Sequence, residues 1–228
     1  PPALGKTISL AVRSESARGS IAGLVAQTVD TNIYVSLPQI SLLRLRDWFD
    51  VPLVEGEFGA QAWLTLQDAQ VDRLTIDVAA REASGGDHND DQRTWRADSA
   101  QIRMDGPAAL FNPQAKSVSW LTRAPANSRL SVALSTQNFT VQHLTSDLDL
   151  FSIDEGKMTG ALSRPSDGAL SVVVDSLSLA NRDGVVTLNG QWSQEAADSQ
   201  GEMDFEGTLT RFQLPALPRY LSGVVGED

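Results

Sequence analysis

The two histidines are the only imidazole side chains in this chain, and neither lies in a catalytic pattern. A serine hydrolase needs a histidine beside a nucleophilic serine and an orienting acid, but no serine here occurs in a Gly-x-Ser-x-Gly nucleophile elbow. His143 lies in an alternating segment typical of a strand. The absence of cysteine excludes a thiolate nucleophile, a disulfide framework and thiolate metal sites. The sequence therefore predicts a protein that is not an enzyme, with no catalytic residue.

One loop resembles the start of a calcium site. Asp87, Asn89 and Asp91 stand at alternate positions, and spaced carboxylates and amides are the ligands that calcium prefers. The pattern then fails, because Gln92 occupies the position of the sharp-turn glycine and Asp98 that of the bidentate glutamate. We expect a solvated hairpin loop here, with no metal and no cofactor.

Acidic pairs and tryptophans are the remaining candidates for chemistry. Asp147 and Asp149 alternate on one strand face, whereas a glycosidase needs two carboxyl groups facing each other across a cleft. Several tryptophans on one exposed surface would form a platform for sugar stacking, although buried or rim positions are the more common use of this residue. The five tryptophans are Trp48, Trp63, Trp95, Trp120 and Trp192. Carbohydrate binding therefore stays an alternative.

Charge and hydropathy narrow the class of protein further. The net charge is -11 and the basic residues are scattered, which argues against nucleic acid and against a polybasic headgroup site. No apolar run approaches the roughly 20 residues of a membrane-spanning helix. The chain of 228 residues opens with Pro1 rather than methionine. We expect it to be a fragment of a longer protein, forming one elongated β domain over residues 1–228.

Alternation of apolar and polar residues is the dominant pattern along the chain. It predicts many short strands with one apolar face, which is typical of an antiparallel sheet, whether sandwich, barrel or extended. Turn-like sequences occur at residues 17–20, 84–87, 166–168 and 181–184. Asp-Gly pairs at two of these turns favour tight hairpins with positive φ at both central positions. Residues 40–49 and 214–221 are predicted as short helices or as irregular connections.

The second half of the chain resembles the AsmA-like bacterial envelope proteins, and within them the YhdP branch. The succession consists of an alternating strand with an Asn turn, a Leu-x-Gly-x-Trp strand, a strand of small residues and a Tyr-Leu element. These segments are residues 167–181, 188–192, 207–212 and 217–221. Residues 40–49, followed by Gly56 and Trp63, extend the resemblance to about two thirds of the chain.

This resemblance implies a fold, a location and a function. The fold is a many-stranded, mostly antiparallel all-β sheet bent into an elongated trough or open barrel, with one or two short helices. The location is the periplasm, with an anchor in the inner membrane outside this chain. The implied function is phospholipid transport between inner and outer membrane, which supports the permeability barrier of the outer membrane. Partners would be phospholipid acyl chains, adjoining parts of the same long chain and envelope proteins.

The apolar positions of successive strands are the predicted lining of a lipid groove. The predicted lining residues are Ile33, Val35, Phe58, Leu64, Leu74, Ile76, Val132, Leu134, Leu148, Leu150, Val172, Val174, Leu188 and Phe205. The same side chains would form an ordinary core in a closed β-sandwich that acts as a scaffold or partner-binding module. The alternatives to the groove are therefore that sandwich and a carbohydrate-binding module of the cell envelope.

Overall fold

The structure, a computed structural model, describes residues 9–14, 31–41, 53–67, 70–86, 93–108, 128–143, 146–164, 170–194 and 201–213. These residues form ten strands in one sheet, whose spatial order follows the chain. The strands are β1 (Ser9–Ser14), β2 (Thr31–Ser41), β3 (Leu53–Gln67), β4 (Gln70–Gly86), β5 (Arg93–Pro107), β6 (Ser128–His143), β7 (Ser146–Arg164), β8 (Leu170–Asn181), β9 (Gly184–Gln194) and β10 (Glu202–Thr210).

The sheet is an antiparallel meander that stays open. Every strand pairs antiparallel with its neighbour in sequence. β1 and β10 are the two edges of the described sheet and do not pair with each other. The all-β, mostly antiparallel prediction is therefore confirmed, and the described residues contain no α-helix.

The turn between β8 and β9 lies where the sequence predicts it but has a different centre. Asn181 pairs with Gly184, so Arg182 and Asp183 are the central residues, and neither has a positive φ. The side-chain oxygen of Asn181 accepts hydrogen bonds from the backbone N–H groups of Asp183 (2.9 Å) and Gly184 (3.1 Å). An Asn side chain that closes the turn in this way replaces the positive-φ geometry expected of an Asp-Gly centre.

Two other predictions of local structure are wrong. Ser84, Gly85 and Gly86 were predicted as a turn, but they continue β4 and pair with Arg96, Trp95 and Thr94 of β5. Ile40 and Ser41, which begin the segment predicted as a short helix or an irregular connection, instead end β2 and pair with Phe58 and Glu57. Glycine and serine are tolerated in these long strands because cross-strand pairing overrides local propensity. The rest of both predicted helices and the turns at 17–20 and 166–168 lie outside the described residues.

Register gives the sheet one apolar and one polar face, since directly paired residues point to the same side. One apolar row crosses nine strands as Val35, Ala62, Ile76, Met104, Val132, Gly160, Val174, Gly190 and Phe205. The next row is Leu37, Ala60, Val78, Ile102, Leu134, Met158, Leu177, Leu188 and Gly207. A third row is Ile40, Phe58, Ala80, Ala100, Thr136, Gly156, Leu179, Val186 and Leu209. We call this side the apolar face.

Four neighbouring strands each contain, at the same level, one residue that interrupts the alternation of the two faces and points away from the apolar face. We call this row the crease. It consists of Glu82, Asp98, Asn138 and Asp154 in β4 to β7, all exposed. Glu82 and Asn138 have φ values of 49° and 48°, and Asn138 Nδ2 donates to Asp98 Oδ2 at 2.7 Å. The extra residue acts as a bulge, which bends a strand. Because each of the four strands has its extra residue at the same level, the register of strand pairing is the same on both sides of the crease.

Very little of the apolar face is buried by the rest of the described chain. Its buried apolar residues are Ala83, Ala97, Leu130 and Ile153, whereas the buried Ala161 pairs with Ser131 and lies on the polar face. Among the described residues, eight large apolar side chains are exposed, and seven of them belong to the apolar face: Val71, Leu134, Phe151, Val186, Met203, Phe205 and Leu209. A sandwich would pack a second sheet over this face, but the ten described strands form a single layer.

Candidate functional site, an apolar groove

A cavity of about 560 Å³ lies on the apolar face at the level of the crease. Its wall takes residues from six consecutive strands, including Phe58, Val78, Ile102, Leu134, Met158 and Leu177. Strands are spaced by roughly 4.8 Å, so β3 and β8 lie roughly 24 Å apart along the sheet. A flat sheet does not enclose a common cavity over that distance. The apolar face is therefore concave here.

A second cavity of about 270 Å³ continues the first toward the β10 edge. The two cavities share Ile153 and Leu179, and the second adds Phe151, Val186, Leu209 and Phe212. Together they cross the sheet from Phe58 on β3 to Leu209 on β10, a distance of roughly 34 Å at the usual strand spacing. We call the two cavities together the groove.

The polar side chains of Thr136 and Gln101, at the first cavity, form hydrogen bonds with partners of the sheet. Thr136 Oγ1 donates to the backbone oxygen of Ser99 at 3.1 Å. Gln101 and Lys157 border the cavity, but by register both belong to the polar face. Gln101 Nε2 there donates to Asp77 Oδ1 at 2.8 Å. Since the backbone of the floor is engaged in strand pairing, this cavity offers hydrocarbon contacts rather than hydrogen bonds.

The polar face satisfies its charges within the sheet and with water. Arg73 Nε donates to Asp105 Oδ1 at 3.0 Å, and Thr75 Oγ1 donates to the same oxygen at 2.6 Å. The hydrogen bond with Arg73 lowers the pKa of Asp105, and the same contact raises the pKa of Arg73. A carboxylate that accepts charge-assisted hydrogen bonds prefers its ionised form. Both groups are therefore charged, and they lie on the side of the sheet opposite the groove.

The tryptophans in the described part of the chain do not form one cluster. Trp63 lies on the polar face, 5.3 Å from the ring of Tyr34 and 5.8 Å from the guanidinium of Arg103. Trp95 lines the first cavity. Trp192 belongs to the apolar face on β9, where it pairs with residues of β8 and β10 far from Trp95 on β5. Trp48 and Trp120 lie outside the described residues.

Twelve of the fourteen predicted lining residues lie on the apolar face. They are Ile33, Val35, Phe58, Leu64, Leu74, Ile76, Val132, Leu134, Val172, Val174, Leu188 and Phe205. Leu148 and Leu150 lie in β7, but the positions of their side chains are outside the description. Of the twelve, Phe58 and Leu134 contact the first cavity. The others lie in the rows beside it or further along the strands.

Sequence reasoning missed several residues that line the first cavity. Ala80, Ala100 and Gly156 form part of its floor, and Phe139 and Ile153 contact it from beyond the crease. Alternation continued across the crease from Leu134 on β6 and from Met158 on β7 places Phe139 and Ile153 on the polar face, and the crease reverses that assignment. The apolar residues Phe139 and Ile153 themselves are the available signal, because they break the expected alternation.

The residues considered for chemistry contribute no site that the structure describes. His88, the Asp87 loop and the side chains of His143, Asp147 and Asp149 lie outside the described residues. Within the described ranges no group of His, Cys, Asp or Glu side chains is arranged to hold a metal ion. Among those residues, also, no helix has the length and apolar character needed to cross a membrane.

Comparisons with protein-family models, with curated proteins and with solved structures find no match to this chain. The class of protein is therefore defined by the fold and the groove alone. It is an open, single-layer antiparallel β-sheet with a concave apolar face. The resemblance to AsmA-like proteins stays a prediction.

Proposed function

We propose that this chain is a periplasmic segment of an AsmA-like protein, whose groove holds phospholipid acyl chains during transport between inner and outer membrane. The observation that carries the proposal is the concave apolar groove on a single-layer sheet. An exposed apolar surface of this extent is typical of a binding site and not of the ordinary surface of a soluble monomer. The family, the periplasm and the role in the permeability barrier are proposed from the sequence pattern.

The energetics of such a groove suit carriage better than storage. A buried methylene gains about 0.8 kcal/mol, so a chain of about 16 methylenes, half covered by an open groove, gains roughly 6 kcal/mol. That free energy corresponds to a dissociation constant of roughly 40 μM before ordering costs. A lipid held at this strength by contacts without hydrogen bonds exchanges readily between neighbouring positions in the groove.

Two observations favour the groove over the other functions that the sequence allows. The described strands form one layer, whereas a sandwich scaffold needs a second sheet over the apolar face. A carbohydrate platform needs several tryptophan side chains next to each other on one exposed surface. Trp63 lies on the polar face, and Trp95 and Trp192 share the apolar face but lie four strands apart, on β5 and β9.

Extraction of a labelled lipid tests the proposal. Phosphatidylethanolamine carrying a nitrobenzoxadiazole dye is self-quenched in vesicles and fluoresces when a protein removes it. We expect the folded chain to raise the fluorescence in proportion to its concentration, because the lipid that it removes is no longer self-quenched. The same chain unfolded in urea and then diluted into vesicles at once is the control for release by denatured protein. Fluorescence that stays at the vesicle baseline with folded protein in large molar excess over the labelled lipid would overturn the proposal.

A further inference from the structure

We propose that the outer edge of β10 binds an extended strand of another protein, in which lysine or arginine alternates with apolar residues. That strand pairs with Glu202–Thr210 and becomes the next strand of the sheet. This inference goes beyond the proposed function and does not depend on lipid binding. It is carried by the unpaired edge, by a row of carboxylates that no cation of the described sheet neutralises, and by the exposed apolar side chains between them.

β10 has one pairing partner among the described strands. All nine of its residues pair with β9 without a register shift, and no described strand lies on its other side. All nine are also exposed. A strand at the edge of a sheet presents a row of unpaired N–H and C=O groups that can pair with another chain. β10 therefore offers the main-chain hydrogen bonds on which strand addition depends.

β10 lacks the usual features that protect a sheet edge. Natural edges are commonly blunted by short length, lysine, proline or a bulge. β10 is nine residues long, contains neither lysine nor proline, and pairs regularly with β9. This edge is therefore suited to pairing, and its charges decide which strand it accepts.

Three carboxylates, those of Glu202, Asp204 and Glu206, form a row on the polar face of β10 and stand opposite uncharged polar residues of β9. The strands β8, β9 and β10 contain no lysine or arginine. Among the described residues, none of the three carboxylates has a hydrogen bond or an ion pair, whereas Asp105 on the same face is paired with Arg73. The row therefore presents uncompensated negative charge to a strand that lies beside β10.

A cavity of about 370 Å³ on the polar face extends this negative charge inward from the edge. Its lining includes Asp175 of β8, Asn189 and Gln191 of β9, and Asp204 and Glu206 of β10. Among the described residues no acidic group is arranged to hold a metal ion. A residue that stands opposite Glu206 on an added strand has its Cβ roughly 5 Å from the Glu206 Cβ. A lysine or arginine there is long enough to place its cation among these oxygens.

The other side of β10 supplies apolar contacts. Met203, Phe205 and Leu209 are 75%, 39% and 53% exposed, and they alternate with the polar residues of the strand. Residues that stand opposite each other on neighbouring strands share a face of the sheet. The apolar residues of an added strand therefore lie beside these side chains when its basic residues lie beside the carboxylates. This correspondence requires the alternation of basic and apolar residues.

A second copy of β10 is a poorer partner for this edge. Antiparallel pairing of Glu202–Thr210 with itself over its full length sets Glu206 opposite Glu206. Parallel pairing in register sets each of the three carboxylates beside its own copy. Like charges directly opposite each other are destabilising. The carboxylates therefore discriminate against self-pairing and in favour of a basic strand.

Binding of a synthetic strand peptide tests the inference. The probe is a fluorescein-labelled peptide in which lysines alternate with valines, and fluorescence anisotropy follows its binding to the chain. We expect saturable binding that weakens as salt is added, because salt screens charges at the surface. The same peptide with every backbone nitrogen methylated keeps its charge but has no N–H to donate, and it should not bind. A peptide with glutamate in place of lysine should not bind either.

Charge reversal on the edge is the second arm of the experiment. Asp204→Lys combined with Glu206→Lys should weaken binding of the lysine peptide by at least roughly tenfold, because two attractive cross-strand pairs become repulsive. The matched control is Asp72→Lys combined with Asp154→Lys, which makes the same change in net charge at exposed positions of the interior strands β4 and β7. This control should bind the peptide within about twofold of the wild type.

Hydrogen exchange locates the bound peptide. In the chain alone, the β10 amides that point away from β9 should exchange fast, and saturating peptide should protect them. Anisotropy that stays at the value of the free peptide, or slow exchange throughout β10 in the chain alone, would overturn the inference. Equal binding of the methylated peptide, or by the edge variant, would overturn it as well, because charge attraction alone would then explain binding. Circular dichroism checks each fold, and Glu202→Lys combined with Glu206→Lys replaces the first edge variant if that variant does not fold.

Discussion

Replacing Leu134 with lysine is expected to weaken lipid extraction by roughly tenfold to a hundredfold, which corresponds to about 1.4 to 2.8 kcal/mol. Leu134 lies on β6 in the wall of the first cavity and is 38% exposed. The free protein tolerates an ammonium at this position because water reaches it. A bound acyl chain removes that water and leaves the charge poorly solvated, so the cost falls on the complex. The measurement is fluorescence dequenching with the dye-labelled lipid, with urea unfolding to confirm the stability of the variant.

Two further variants make this experiment specific. Gln137→Lys places the same charge on the same strand but on the polar face, and we expect it to extract lipid like the wild type. Leu134→Glu should weaken extraction as much as Leu134→Lys, because desolvation penalises both signs of charge. Tighter binding by Leu134→Lys, or a loss confined to Leu134→Glu, would show that headgroup charge rather than acyl contact controls binding, contrary to the groove account.

Replacing Gly56 with alanine is expected to lower the free energy of unfolding by about 2 to 4 kcal/mol. Gly56 has a φ of 125°, and a Cβ there would lie 2.8 Å from Ala83 Cα and 2.9 Å from the Arg81 backbone oxygen. The backbone strain at position 56 and the steric clash of its Cβ with β4 would both weaken the pairing of β3 with β4 beside the crease. Urea unfolding of the variant and the wild type, followed by circular dichroism, measures the difference.

Gly59→Ala on the same strand is the matched control. A Cβ at position 59 meets its nearest neighbour, Gln39 Cγ, at 3.5 Å, which is an ordinary contact. Because alanine restricts the unfolded chain, this variant should be as stable as the wild type or more stable by about 0.4 to 1 kcal/mol. If Gly56→Ala were equally harmless, the close approach of β3 to β4 at the crease would be wrong, and with it the position of Phe58 in the groove wall.

The sheet and its apolar face could be predicted because alternation is a local property of each strand. Ile33 and Val35 on β2, or Val172 and Val174 on β8, share a face whatever their neighbours are. The meander order also agrees with the general tendency of strands that are consecutive in sequence to lie side by side in a sheet. For these reasons twelve of the predicted lining residues lie on one face of the observed sheet.

The groove itself could not be predicted, because it depends on which residues stand opposite each other. Ala80, Ala100 and Gly156 come together through the registers of three strand pairs, and no single strand contains that information. The crease is a second obstacle. Asparagine, as at position 138, is a residue type that tolerates positive φ, whereas glutamate, as at position 82, is not. The reversal of faces in β4 therefore has no sequence signal.

Native mass spectrometry of the purified chain, followed by solvent extraction and lipid analysis, tests the central claim most directly. The account predicts phospholipid bound to the folded chain, either co-purified or acquired after incubation with phosphatidylethanolamine and phosphatidylglycerol vesicles, and its loss in the Leu134→Lys variant. A folded chain that stays free of lipid after that incubation would contradict the claim that the apolar face is a lipid groove.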